Sequence, residues 1–70
     1  MQARTINQMI KEAQLTGKNV YADRVFPKVG WLLFPVRIVK AKTLNGKIKV
    51  QALASGHWFV ADNNSTFDAR

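Results

Sequence analysis

Four lysines flank an Asn-Gly pair near the middle of the chain, and their type and spacing are the clearest chemical signal in the sequence. Asn-Gly fits the two positive-φ positions of a type I′ turn, so Asn45 and Gly46 predict a two-residue hairpin loop. The predicted register opposes Leu44 with Lys47, Thr43 with Ile48, Lys42 with Lys49, Ala41 with Val50, and Lys40 with Gln51. One face then carries Val39, Ala41, Ile48, Val50 and Ala52, and the other carries Lys40, Lys42, Lys47, Lys49 and Gln51.

The lysine-bearing side of this hairpin is the expected binding surface. Lys42 opposite Lys49 is a like-charge pair, which costs stability unless an anion relieves it. Lysines beside a hairpin also keep a sheet soluble and prevent edge pairing, so a purely structural role is the competing interpretation. Three further cations favour a partner, and they are Arg24, Lys28 and Arg37. The predicted phosphate-binding residues are Lys40, Lys42, Lys47, Lys49 and Arg37.

The charge of the whole chain points the same way. Eleven Lys and Arg residues against four Asp and Glu residues give a net charge of +7, and the sequence pI is about 10.4. Such an excess favours a polyanionic partner. Rings that stack on bases would strengthen a single-strand or RNA interpretation, and the candidates are Trp31, Phe34, Trp58 and Phe59. In a 70-residue domain, however, most large rings are needed in the core.

No arrangement of residues predicts catalysis or a cofactor. The sequence has no cysteine and a single histidine, so neither a thiolate nor an imidazole metal site is expected. The four acids are scattered, no glycine-rich loop is present, and His57 follows a Ser-Gly turn as a surface residue would. We therefore expect a non-enzymatic protein with no cofactor and no metal.

The N-terminal residues predict a helix over 5–16. Thr5 with Gln8 three positions later matches a capping box, and Gly17 is a natural end. Ile6, Met9, Ile10 and Ala13 form one apolar stripe with helical spacing. A helix this short is unstable alone, so the stripe must pack on the rest of the chain.

Residues 19–61 change to a two-residue period and predict antiparallel β structure. A first strand is expected over 19–26, and a second region covers Trp31–Phe34 and Pro35–Leu44. After the hairpin, Ser55 and Gly56 form a turn and 57–61 a last strand. Residues 62–70 read as a polar and flexible tail, in which Phe67 docks on the core or on another subunit.

The elements together predict a single α+β domain over 1–70, mostly β. The alternation changes phase over Val36–Val39, which indicates a bend or bulge in that strand. Bent strands let a small antiparallel sheet curl, so we favour an SH3-like barrel behind the N-terminal helix. A simple helix-plus-meander sheet fits the same pattern.

These patterns predict a small basic nucleic-acid-binding protein that contacts phosphates of DNA or RNA with weak sequence specificity. The alternative is a protein-interaction module, an inhibitor or assembly subunit of bacterial or phage type, which uses the apolar strip Trp31–Phe34 as a contact or homodimer surface. The N-terminal residues lack a signal-peptide core, and the longest apolar run, 29–36, is too short to span a bilayer. We expect a cytoplasmic protein with no membrane partner.

Overall fold

The computed structural model describes residues 2–26 and 35–70, which form one helix and four strands. They are α1 (Ala3–Leu15), β1 (Val20–Phe26), β2 (Val36–Leu44), β3 (Lys47–Ala52) and β4 (Trp58–Ala69). Every strand pair is antiparallel, and the pairing forms a closed cycle because β1 pairs with both β2 and β4. The predicted N-terminal helix and antiparallel, mostly β arrangement are confirmed, whereas an SH3-like type stays a prediction. The predicted strand segment Trp31–Phe34 lies outside the described residues.

Helix α1 exists because one stripe of its side chains is buried against the sheet. The buried members are Ala3, Ile6, Ile10 and Ala13, and Met9 packs beside them. The predicted capping box is wrong, because the helix begins at Ala3, the cap residue is Gln2, and neither Thr5 nor Gln8 caps it. Ala3 is only 7% exposed and extends the apolar stripe by one turn, so packing rather than a side-chain cap sets the start.

The end of α1 follows the sequence prediction. Gly17 adopts a φ of +72°, a conformation that favours glycine. The Lys18 amide donates to the Ala13 carbonyl at 2.8 Å, and the Gly17 amide donates to Gln14 at 3.3 Å. These two bonds form a Schellman motif and turn the chain into β1.

Asn7 joins the helix to the sheet. Its Nδ2 donates to the Ala41 carbonyl at 2.8 Å, and the Ala41 amide donates to Asn7 Oδ1 at 2.9 Å. β1 pairs with β2 only opposite Val36–Ile38, so in the described part of the chain the rest of β2 has β3 on one side and no strand on the other. The Asn7 amide therefore supplies the two backbone bonds that a neighbouring strand would make at Ala41.

The hairpin around Asn45 and Gly46 has the predicted register in all five pairs, including Lys42 opposite Lys49. Asn45 has a φ of +52° and Gly46 a φ of +74°, as a type I′ turn requires.

The predicted bulge in β2 is present, and it corrects one predicted face. The register shifts between Ile38 and Lys40. Ile38 is 2% exposed and Val39 is 37% exposed, so Ile38 rather than Val39 belongs to the core face. The extra residue turns Val39 outward, because a bulge reverses the side-chain alternation on one side of it.

The predicted polar tail over 62–70 is wrong, because β4 continues through residues 62–69. Thr66 to Ala69 pair with β1, while residues 62–65 bulge opposite Arg24. Ser65 Oγ donates to the Arg24 carbonyl at 2.8 Å, and the Asp62 amide donates to Ser65 Oγ at 2.9 Å. Phe67 packs against the core of this same chain.

The core lies between α1 and the inner face of the sheet. Its most deeply buried large side chains are Ile6, Val20, Val25 and Val50. Half-buried Ile48, Phe59 and Phe67 close it from β3 and β4.

Gly46→Val should lower the free energy of unfolding by about 1–2 kcal/mol, because a β-branched residue is strained at positive φ. A Cβ at Gly46 would meet no atom within 4 Å, so the loss comes from the backbone alone. Urea denaturation measures it, and Gly46→Asn, which tolerates this conformation, is the matched control. Equal stabilities for the Val and Asn variants would contradict the turn assignment.

Asn7→Asp should destabilise the fold by about 1–3 kcal/mol, because it removes the donor to the Ala41 carbonyl and places a carboxylate oxygen beside it. Gln8→Glu makes the same amide-to-acid change at an exposed neighbouring position and should cost a few tenths of a kcal/mol at most. Both are measured by urea denaturation. An Asn7→Asp protein as stable as Gln8→Glu would show that the bonds to Ala41 contribute nothing.

Candidate nucleic-acid interface

The hairpin lysines lie on the outer face of β2, β3 and β4, opposite the core. Ala41 and Val50 are buried, so the residues on either side of each along its strand point outward. Two cross-strand rows cover this face: Lys42, Lys49 and Val60 in one, and Lys40, Gln51 and Trp58 in the other. We call this surface, together with Lys47, the lysine face.

The charges of the lysine face are accessible. Lys40, Lys42 and Lys47 are exposed, and Lys49 is half-buried in the centre of the sheet. None of the four forms an ion pair with any residue in 2–26 or 35–70. Lys42 and Lys49 are direct cross-strand neighbours, so their repulsion is built into the hairpin register.

The chain's own acids are engaged elsewhere. Each of the four carboxylates, all of them in the described ranges, accepts a hydrogen bond from a near neighbour in space: Glu12 from Gln8, Asp23 from Thr66, Asp62 from Asn64, and Asp68 from Arg70. No acid from the described ranges therefore forms an ion pair with the lysine face, and the Lys42–Lys49 pair has no opposite charge from those ranges to offset its repulsion.

Trp58 adds an aromatic surface to the same face. The Lys42 Nζ lies 4.0 Å from the centroid of the Trp58 ring, within the range of a cation–π contact. Lys42 lies two strands from Trp58, so its side chain crosses β3 to reach the ring. The contact orients Lys42 and places its ammonium group over one face of the indole.

The sequence argument placed most of the large rings in the core, and Trp58 departs from that expectation. Phe59 packs against the core, whereas Trp58 is half-buried on the lysine face. The signal was in the alternation of β4, since Trp58 and Val60 share one parity and the inward-facing Phe59 and Ala61 share the other. Trp31 and Phe34 lie outside the described residues.

Arg37 lies apart from the four lysines. It precedes the bulge in β2 and is opposite Tyr21 of β1, near the end of β4. There Arg70 Nε donates to Asp68 Oδ2 at 2.7 Å, and the guanidinium lies 5.6 Å from the Tyr21 ring. The hydrogen bond and charge of Asp68 raise the pKa of Arg70. Arg37 is exposed, and its role in phosphate binding stays a prediction.

The other residues considered from the sequence do not converge on a second site. His57 is exposed, and its amide donates to Ser55 Oγ at 3.2 Å in the predicted turn. Arg24 is exposed at the bulge of β1, and Lys28 lies outside the described residues. Within the described ranges, no three His, Asp or Glu side chains lie close enough to hold a metal ion. In those ranges, too, no helix has the length and apolar character needed to cross a bilayer.

Comparison with protein-family models, with curated proteins and with solved structures found no match to this chain. The case for a function therefore depends on the lysine face itself. Its essential features are the opposed lysines, the absence of an acid from the described ranges beside them, and the ring of Trp58.

Lys49→Gln should raise the free energy of unfolding by a few tenths of a kcal/mol up to about 1 kcal/mol at low salt, because it removes the repulsion from Lys42. Lys42→Gln should gain less, since it also loses the contact with Trp58. Urea denaturation at low salt and at about 1 M salt measures both effects, and screening should abolish the gain. A Lys49→Gln protein less stable than the parent at low salt would show that the lysine is structural.

Proposed function

We propose that this protein binds nucleic acid, with the phosphates of the ligand lying on the lysine face. The observation that carries the proposal is the Lys42–Lys49 pair. The hairpin register places these two lysines opposite each other, and neither has an acidic partner in the described ranges. A phosphate backbone supplies regularly spaced negative charge, and each phosphate bound releases condensed counterions. Binding therefore relieves a repulsion that folding imposes.

The chemistry of the site favours weak sequence specificity. Lysine is a point charge without the planar fork that arginine offers to a guanine edge. Contacts to phosphate fix the position of a protein on its ligand and carry no sequence information. The lysine face is thus suited to affinity for many sequences rather than to recognition of one.

The rest of the proposal follows the sequence expectations. We propose that the protein acts by binding rather than by catalysis. We also propose that it is cytoplasmic. The closed pairing of the four strands supports an SH3-like barrel as the scaffold, with α1 held to it by Asn7. Arg37, opposite Tyr21 of β1, is a separate candidate for a further phosphate contact.

The double variant Lys42→Gln with Lys49→Gln should weaken binding about equally for unrelated sequences. The logarithm of the affinity should fall linearly with the logarithm of salt concentration, and for duplex DNA the slope should decrease in size by roughly two in the variant. Fluorescence anisotropy with labelled oligonucleotides at several salt concentrations measures both quantities.

The matched control is Lys11→Gln with Lys18→Gln, which removes the same charge from the exposed surface of α1 and the turn after it. Its slope should remain close to that of the parent. Equal losses in the two double variants would show that only the net charge matters, and a parent that bound neither DNA nor RNA at low salt would refute the proposal.

A further inference from the structure

The contact between Lys42 and Trp58 bears on which nucleic acid the lysine face accepts. The ring of Trp58 is half-buried, flanked by Gln51 on β3, and covered on one side by the ammonium group of Lys42. Val60, two residues along β4, continues the same surface beside Lys49. An aromatic surface thus lies among cations that suit phosphates, which is the combination found where single strands bind.

We infer, building on the proposed function, that the ligand is a single strand and that one of its bases stacks on Trp58 in place of the Lys42 ammonium. Each group that loses a contact gains another, because the Lys42 ammonium moves from the ring to a phosphate and the base takes the place of the ammonium on the ring. The flexible stem of Lys42 spans β3 already, so a rotation of the side chain is enough. No covalent bond is made or broken.

A duplex cannot make this exchange without cost. Its bases are stacked on one another and paired, and a base reaches the indole only if it is extruded from the helix. A duplex therefore offers the lysine face phosphates alone, and drawing Lys42 toward them uncovers the ring with nothing to replace the ammonium. A single strand presents unstacked bases as well as phosphates, so Trp58 can stack on a base while Lys42 binds a phosphate.

The test compares a labelled single-stranded thymidine oligonucleotide of about 20 nucleotides with a duplex of equal length. The single strand should bind the parent more tightly at the same salt concentration. Trp58→Leu should weaken single-strand binding about 5- to 100-fold, the range that the loss of one base stack produces. Its salt slope should match that of the parent, because the ring carries no charge.

Two further variants keep the result interpretable. Trp58→Phe retains an aromatic face and should bind within about threefold of the parent. Leu15→Ala removes an exposed apolar side chain at the end of α1, away from the lysine face, and should leave single-strand binding unchanged. Thermal unfolding of each variant shows whether it is folded.

An NMR titration of the parent tests the base stack directly, without relying on the Trp58→Leu variant being folded. Trp58→Phe identifies the indole Nε1–H resonance of Trp58, and that resonance should shift with the single strand and remain in place with the duplex. Equal affinity for both ligands, with no indole shift, would overturn the single-strand inference and leave the proposed function standing. Absence of binding to either ligand at low salt would refute both.

Discussion

The fold depends on how an incomplete strand edge is closed. β2 has β1 beside it only opposite Val36–Ile38, and in the described structure its remaining length lacks a second strand. An open edge of this kind invites pairing with other chains. The Asn7 side chain hydrogen-bonds both the amide and the carbonyl of Ala41 on this edge. It thereby replaces, at one residue, the backbone bonds of a neighbouring strand. The buried stripe of α1 supplies the apolar packing, and Asn7 sets where along β2 the helix lies.

The features predicted correctly from the sequence are those determined by neighbouring residues. The Asn45–Gly46 turn sets the register of the hairpin, and the period of Ile6, Ile10 and Ala13 identifies the inner side of α1. The capping box at Thr5 and Gln8 is a local prediction that failed, whereas the features missed elsewhere depend on distant contacts. The polar residues 62–65 read as a tail because nothing local shows that Arg24 and the rest of β1 lie beside them. The role of Asn7 was equally hidden, since its partner is 34 positions away.

The candidate site was partly predictable for the same reason. The four lysines follow from the hairpin register, which is local. The position of Trp58 required the pairing of β3 with β4, and the isolation of the lysines required knowing where each carboxylate lies. Charge on this protein is segregated by topology, because the acids are engaged along α1, β1 and β4 while the hairpin carries only cations.

The backbone of Arg70 pairs with that of Asn19, each amide donating to the carbonyl of the other at 2.8–2.9 Å. The residue that follows β4 is therefore bound to the junction between α1 and β1. During synthesis the helix and the hairpin can form from local contacts, but β1 gains its β4 partner only after residues 60–70 have left the ribosome. Closure of the sheet by the β1–β4 pairing is thus a long-range step in folding, which carries a larger loop-closure entropy than the local hairpin does.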